Sequence, residues 1–131
     1  MQFREYLTES EFRFEGDSLG IITAHNPQGK KLSRKENKKL NDRLWSDLRI
    51  ADYDPWPVQG NYQGHKENSF LIPDISRGEL VKYAKKYNQA AVIWAKKVDK
   101  GYAVEWINGG KTTKKKHIVN IRSLIAQSVS F

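Results

Sequence analysis

Ile22–Asn37, ITAHNPQGKKLSRKEN, passes from apolar to polar to strongly basic. Its apolar start predicts the end of a short buried strand, Leu19–Ala24. Asn26-Pro27-Gln28-Gly29 predicts a turn, since proline presets φ and asparagine and glycine suit turn conformations. Ser33-x-x-Glu36 has the spacing of a capping box, in which each side chain satisfies a backbone amide at a helix start. The segment therefore reads strand, turn, helix, and places a helical layer against a sheet.

Outward from it, the helix continues to about Arg49, with Leu40, Leu44 and Leu48 at i, i+4 and i+8. Upstream, Glu11–Glu15 (EFRFE) alternates like a strand and is expected to pair with Leu19–Ala24 as a hairpin across Gly16-Asp17. Met1–Ser10 predicts a short amphipathic helix through Phe3, Tyr6 and Leu7. Downstream, Asp54-Pro55-Trp56-Pro57 ends the helical connection. Strands are expected at Val58–Tyr62 and Ser69–Ile72, with Gln63–Asn68 as a polar loop between them. A second helix is expected over Ser76–Tyr87, opened by Ser76-x-x-Glu79. Gln89–Ala95 and Gly101–Ile107 read as an antiparallel hairpin with Asp99-Lys100-Gly101 in its turn. Asn108-Gly109-Gly110 marks another turn, followed by a lysine-rich link and a strand at His117–Ile121. Arg122–Phe131 has no clear pattern. The sum is one α+β domain, residues 10–131, with two helices packed on a mixed, largely antiparallel sheet.

At 131 residues the chain is long enough for one domain with a core. Its 38% hydrophobic and 11% aromatic content is not that of a disordered chain. The net charge of +8 favours an anionic partner, nucleic acid or a nucleotide-like anion, and also serves solubility. Cysteine is absent, which excludes disulfides, thiolate metal sites and a cysteine nucleophile, and is compatible with an intracellular setting. No apolar run approaches a membrane span, and no secretory signal is visible.

His25, Asn26 and Asn37 stand where a strand leaves the sheet and a helix begins, a place where helix amides can meet an anion. Lys30, Lys31, Arg34 and Lys38 add positive charge there. The bland alternative is a turn, a cap and a solvated basic face. Lys114, Lys115 and Lys116 form a second basic patch, able to grip a phosphate backbone while Trp106 or Tyr102 stacks on a base. Its alternative is a loop that keeps the chain soluble. His25 and Glu67 are the candidates for acid–base chemistry. The three histidines lack zinc spacing, so no metal and no cofactor is expected.

Four pieces, Ile22-Thr23-Ala24-His25-Asn26-Pro27, Ser33-Arg34-Lys35-Glu36-Asn37, Glu67-Asn68-Ser69-Phe70 and Gln89-Ala90-Ala91-Val92, resemble in order the motifs of a bacterial and phage domain-of-unknown-function family, number three-two-nine-three. The resemblance spans about Leu19–Trp94. It implies that Asn26, Asn37, Glu67, Ser69 and Gln89 converge on one site, and it implies no reaction. His25 fills the variable position of the first motif. Separately, Met1–Glu9 (MQFREYLTE) resembles the capsid-targeting peptide of internal head proteins of T4-like phages, with cleavage after Glu9. That implies packaging in a phage head and delivery to the host cytoplasm; a packed amphipathic helix is the other possibility for these residues.

Three functions follow as expectations. The first is a phage-type accessory protein that binds nucleic acid or a nucleotide-like anion through its basic surface. The second is a small nucleotide- or phosphoester-processing enzyme using Glu67 or His25. The third is an inhibitor of a host defence protein.

Overall fold

The computed structural model describes residues 16–27, 30–62, 65–121 and 129–130. The elements in chain order are β1 (Ser18–Ile22), α1 (Arg34–Ile50), β2 (Trp56–Tyr62), β3 (His65–Pro73), α2 (Arg77–Lys86), β4 (Ala91–Val98), β5 (Gly101–Asn108), β6 (Lys111–Ile118) and β7 (Val129–Ser130). The strands form one sheet of order β6-β5-β4-β1-β3-β2-β7. Neighbours among β1–β6 are antiparallel, while the two-residue β7 lies parallel to β2. The fold is thus α+β, with two helices on a largely antiparallel sheet.

β1 sits at the centre and corrects the expected N-terminal hairpin. Leu19–Ile22 pairs with β3 on one edge, and Ser18–Ile21 pairs with β4 on the other. A strand has only two edges, so none remains for Glu11–Glu15, which lies outside the described residues together with the expected helix at Met1–Ser10. The cause is legible in β1 itself. Leu19, Ile21 and Ile22 are fully buried, and a short continuous apolar run needs cover on both faces, which only an interior strand receives.

Side chains alternate between the two faces. On one face Ile22, Phe70, Ile72, Val92 and Ile107 pack against Leu44 and Leu48 of α1 and Leu80 and Ala84 of α2. On the other, Leu19, Ile21, Val58, Leu71, Ile93, Ala95, Val104 and Ile118 make a second cluster, flanked by the half-buried Trp56, Tyr102 and Trp106. Gly20 lets α2 approach: a Cβ there would meet Ile75 Cγ2 at 2.8 Å and Leu80 Cδ1 at 2.8 Å. The α2 end is tied down by Ile75, whose carbonyl accepts from Ser18 Oγ and Trp94 Nε1, each at 2.9 Å.

Two polar segments fold differently from expectation. His65–Asn68 belongs to β3, because the β2–β3 hairpin pairs all the way to Tyr62 opposite His65; ladder hydrogen bonds override the polar composition. Lys111–Lys116 is not a link but most of β6, and Val119–Ile121 follows the strand. Among the described residues β6 is an edge strand, paired on one side by β5 with its lysines exposed. Gly109 (φ +60) and Gly110 (φ +81) form the two-residue turn between β5 and β6, which requires positive φ at both positions.

Candidate functional site

The buried stripe of α1 is Asn37, Asn41, Leu44 and Leu48. Its C-terminal half is core, and its N-terminal half replaces leucine with asparagine. That exchange follows from what the helix meets there. β1 has ended, and its continuation separates from β3, leaving ladder groups to be satisfied. Asn41 closes the gap: Oδ1 accepts from the Ala24 amide and Nδ2 donates to the Asn68 carbonyl, each at 2.8 Å. Thr23 Oγ1 donates to the same carbonyl at 2.7 Å and accepts from the His25 amide at 3.0 Å.

One turn earlier, Asn37 and Asn26 bind each other. Asn37 Oδ1 accepts from the Asn26 amide at 2.8 Å, and Asn37 Nδ2 donates to Asn26 Oδ1 at 2.9 Å. Asn26 Oδ1 also accepts from the Leu32 amide at 2.9 Å, which draws the chain back to the start of α1. Asn26 has φ +45, a left-handed conformation that asparagine tolerates better than most residues. Its remaining group, Nδ2, donates to Glu67 Oε2 at 3.3 Å. Gln89 Nε2 donates to the His25 carbonyl at 3.1 Å, and Ser69 Oγ donates to the Glu67 carbonyl at 3.1 Å.

Asn26 therefore bonds both Asn37 and Glu67, with Ser69 and Gln89 joined through the Glu67 and His25 carbonyls. The two asparagine amides spend most of their hydrogen-bonding capacity inside the chain. Glu67 does not. It is 4% exposed, yet the Asn26 amide is its one side-chain partner among the described residues. Burial raises its carboxyl to about 7, partly opposed by the Asn26 bond. Glu67 thus titrates near neutrality. Burial also lowers His25 below its ordinary value, which favours the neutral imidazole. Among the described residues no group of His, Asp and Glu is placed to hold a metal ion.

The cap at α1 is the full box: Ser33 Oγ accepts from the Glu36 amide, and Glu36 Oε1 accepts from the Ser33 amide. The Glu36 amide of the first turn is thus committed to the cap rather than offered to an anion. Around it Lys30, Lys31 and Arg34 are exposed, whereas Lys38 pairs with Asp42 at 2.8 Å. Lys114, Lys115 and Lys116 are exposed on β6, three strands away from β1 at the sheet's edge. The two basic clusters are therefore separate surfaces.

Asn41 and Thr23 were not expected in the network. The signal for Asn41 was present: it continues the i, i+3/i+4 stripe of Leu44 and Leu48, where a buried amide signals a backbone in need of partners. A family model described as Protein of unknown function (DUF3293) matches residues 22–92, which contain the whole network and end before β5 and β6. None of the curated proteins compared matches this sequence.

Proposed function

We propose that this chain, which belongs to the DUF3293 family by a match over more than half of its length, is a binding protein for nucleic acid or a similar phosphate-bearing polyanion. The observation that carries this reading is the charge on the β5–β6 hairpin. Lys111, Lys114, Lys115 and Lys116 are exposed, while the hairpin's single carboxylate, Glu105, is bound by Arg77 of α2. Burial raises the Glu105 carboxyl, but the Arg77 and Thr112 bonds outweigh it and hold the group below its ordinary value. Lys30, Lys31 and Arg34 supply a second cationic surface.

Anisotropy titration of labelled oligonucleotides tests this across salt. Affinity is expected to fall steeply between about 50 and about 200 mM salt, as counterion release requires. Absence of binding at the lower salt, or binding indifferent to salt, overturns it.

Glu67 favours a second reading, a nucleotide- or phosphoester-processing enzyme. A buried carboxyl titrating near 7 is suited to take and return a proton. Screening nucleotides with the native chain and Glu67→Gln decides; equal turnover removes Glu67 from that role. The resemblance of Met1–Glu9, outside the described residues, to capsid-targeting peptides supports packaging in a phage head. Mass spectrometry of the protein from such heads is expected to show Ser10 as the first residue, and an intact Met1 refutes cleavage.

A further inference from the structure

We infer that the polyanion is a duplex nucleic acid, which α1 holds by its phosphates along a row of Lys35, Lys39 and Arg43 and without regard to base sequence. The inference rests on the binding reading above and names the ligand class and the place. The three cations stand at i, i+4 and i+8, so they share one side of the helix. Lys39 is two residues from both Asn37 and Asn41, about 200° round the helix from each, and so points away from the sheet that those asparagines face. All three cations are exposed.

Charge on α1 is sorted between its sides. Each of its acids is already bound: Glu36 by the Ser33 cap, Asp42 by Lys38 at 2.8 Å, and Asp47 by Lys86 at 2.8 Å and by the Tyr87 hydroxyl. The Lys86 and Tyr87 bonds hold the Asp47 carboxyl below its ordinary value, with a smaller contribution from the nearby Arg43. Lys35, Lys39 and Arg43 form no ion pair among the described residues. The same bonds fix the helix in place. The cap and the Asn37 and Asn41 bonds hold its start, and Asp47 ties its later turns to α2.

A fixed straight row suits a stiff rod of charge. From Lys35 to Arg43 it runs about 12 Å, a length over which a duplex presents about seven phosphates. A single strand gains its affinity largely by stacking bases on aromatic rings. The one aromatic of α1, Trp45, packs against the core and has Arg49 at 5.8 Å from its ring centroid. Base reading is also turned inward. Asn37 and Asn41, whose amides could match an adenine edge, are buried and spent inside the chain. Lysine ammoniums, as point charges, lack the planar fork that selects a base.

The test uses the full chain and three fluorescein-labelled probes of equal length: two duplexes of unrelated sequence and an oligothymidine. At low salt the two duplexes are expected to bind within about twofold of each other, and both more tightly than the single strand, whose charge is less dense. Lys35→Gln, Lys39→Gln and Arg43→Gln combined are expected to lower the duplex salt slope by about 2.7, and Lys39→Gln alone by about 0.9. Glutamine is a good helix former at these exposed positions, and the single variant decides where the triple one fails to fold. An unchanged slope overturns the inference. So does tighter binding of the oligothymidine, or a preference of about tenfold or more between the duplexes. In each of those cases polyanion binding itself survives; failure of all three probes to bind the native chain removes that as well.

Discussion

Asn26 and Glu67 show how far one contact can govern behaviour. Asn26 holds a left-handed backbone and makes three side-chain hydrogen bonds. Asn26→Ala is expected to lose about 3 kcal/mol in chemical denaturation, combining backbone strain with unsatisfied groups at Leu32 and Asn37. Asn26→Gly relieves the strain but not the lost bonds, so it is expected to fall between the two. Glu67 is expected to make stability depend on pH. Its folded carboxyl is raised by burial to about 7, above its unfolded value, so its contribution is fully present below the unfolded value. That contribution is lost as pH rises through about 7. Glu67→Gln keeps an acceptor for Asn26 and removes the buried charge. At pH about 8 it is expected to exceed the native chain in stability, by on the order of 2 kcal/mol, with the gap closing towards pH 4. Unfolding curves across that range read it; a pH-independent difference sinks the assignment.

Among elements, α2 approaches β1 closely at Gly20. Gly20→Ala would place a methyl within 3 Å of Ile75 and Leu80 side chains. A cost of about 1–3 kcal/mol is expected from the forced displacement, read as a lower midpoint of unfolding. The α1 cap is worth less. Ser33→Ala leaves the Glu36 amide without its acceptor and is expected to cost about 1 kcal/mol. Elements also show where sequence patterns were legible. The helices announced themselves through leucine spacing and Ser-x-x-Glu starts. The start of β3 and most of β6 did not, because His65–Asn68 and Lys111–Lys116 carry no apolar alternation; pairing with β2 and β5 makes them strands.

For the whole molecule, the basic clusters at the start of α1 (Lys30, Lys31, Arg34) and on β6 (Lys114, Lys115, Lys116) are two surfaces rather than one. The start of α1 and the strand β6 are separated by β5, β4 and β1. Removing charge at one surface is therefore expected not to alter the effect of removing it at the other. Paired substitutions, Lys31→Gln with Arg34→Gln and Lys114→Gln with Lys116→Gln, provide the check. If both surfaces hold duplex DNA, each pair lowers the salt slope by about 1.8, and the four together by the sum. If only the β6 pair acts, the interface is confined to the hairpin. Among the described residues no helix is long and apolar enough to cross a membrane.

The sequence by itself determined the α+β class, both helices, the turn at Gly109-Gly110 and the members of the Asn26–Asn37–Glu67 set. Each rests on a local signal: periodicity, capping chemistry, turn conformation or a motif. Only the tertiary structure decided that β1 lies at the centre of the sheet, that Asn41 replaces a broken ladder, and that Glu67 is buried with Asn26 as its one side-chain partner among the described residues. It also decided that Glu105 turns away from Trp106. These are matters of which surfaces meet, and a residue's neighbours across a sheet are set by register and long-range pairing rather than by nearness in the chain. Asn26, Asn37 and Asn41 are thus first a brace for backbone groups at the junction of β1 and α1, and Glu67 is the buried acid tied to that brace through Asn26.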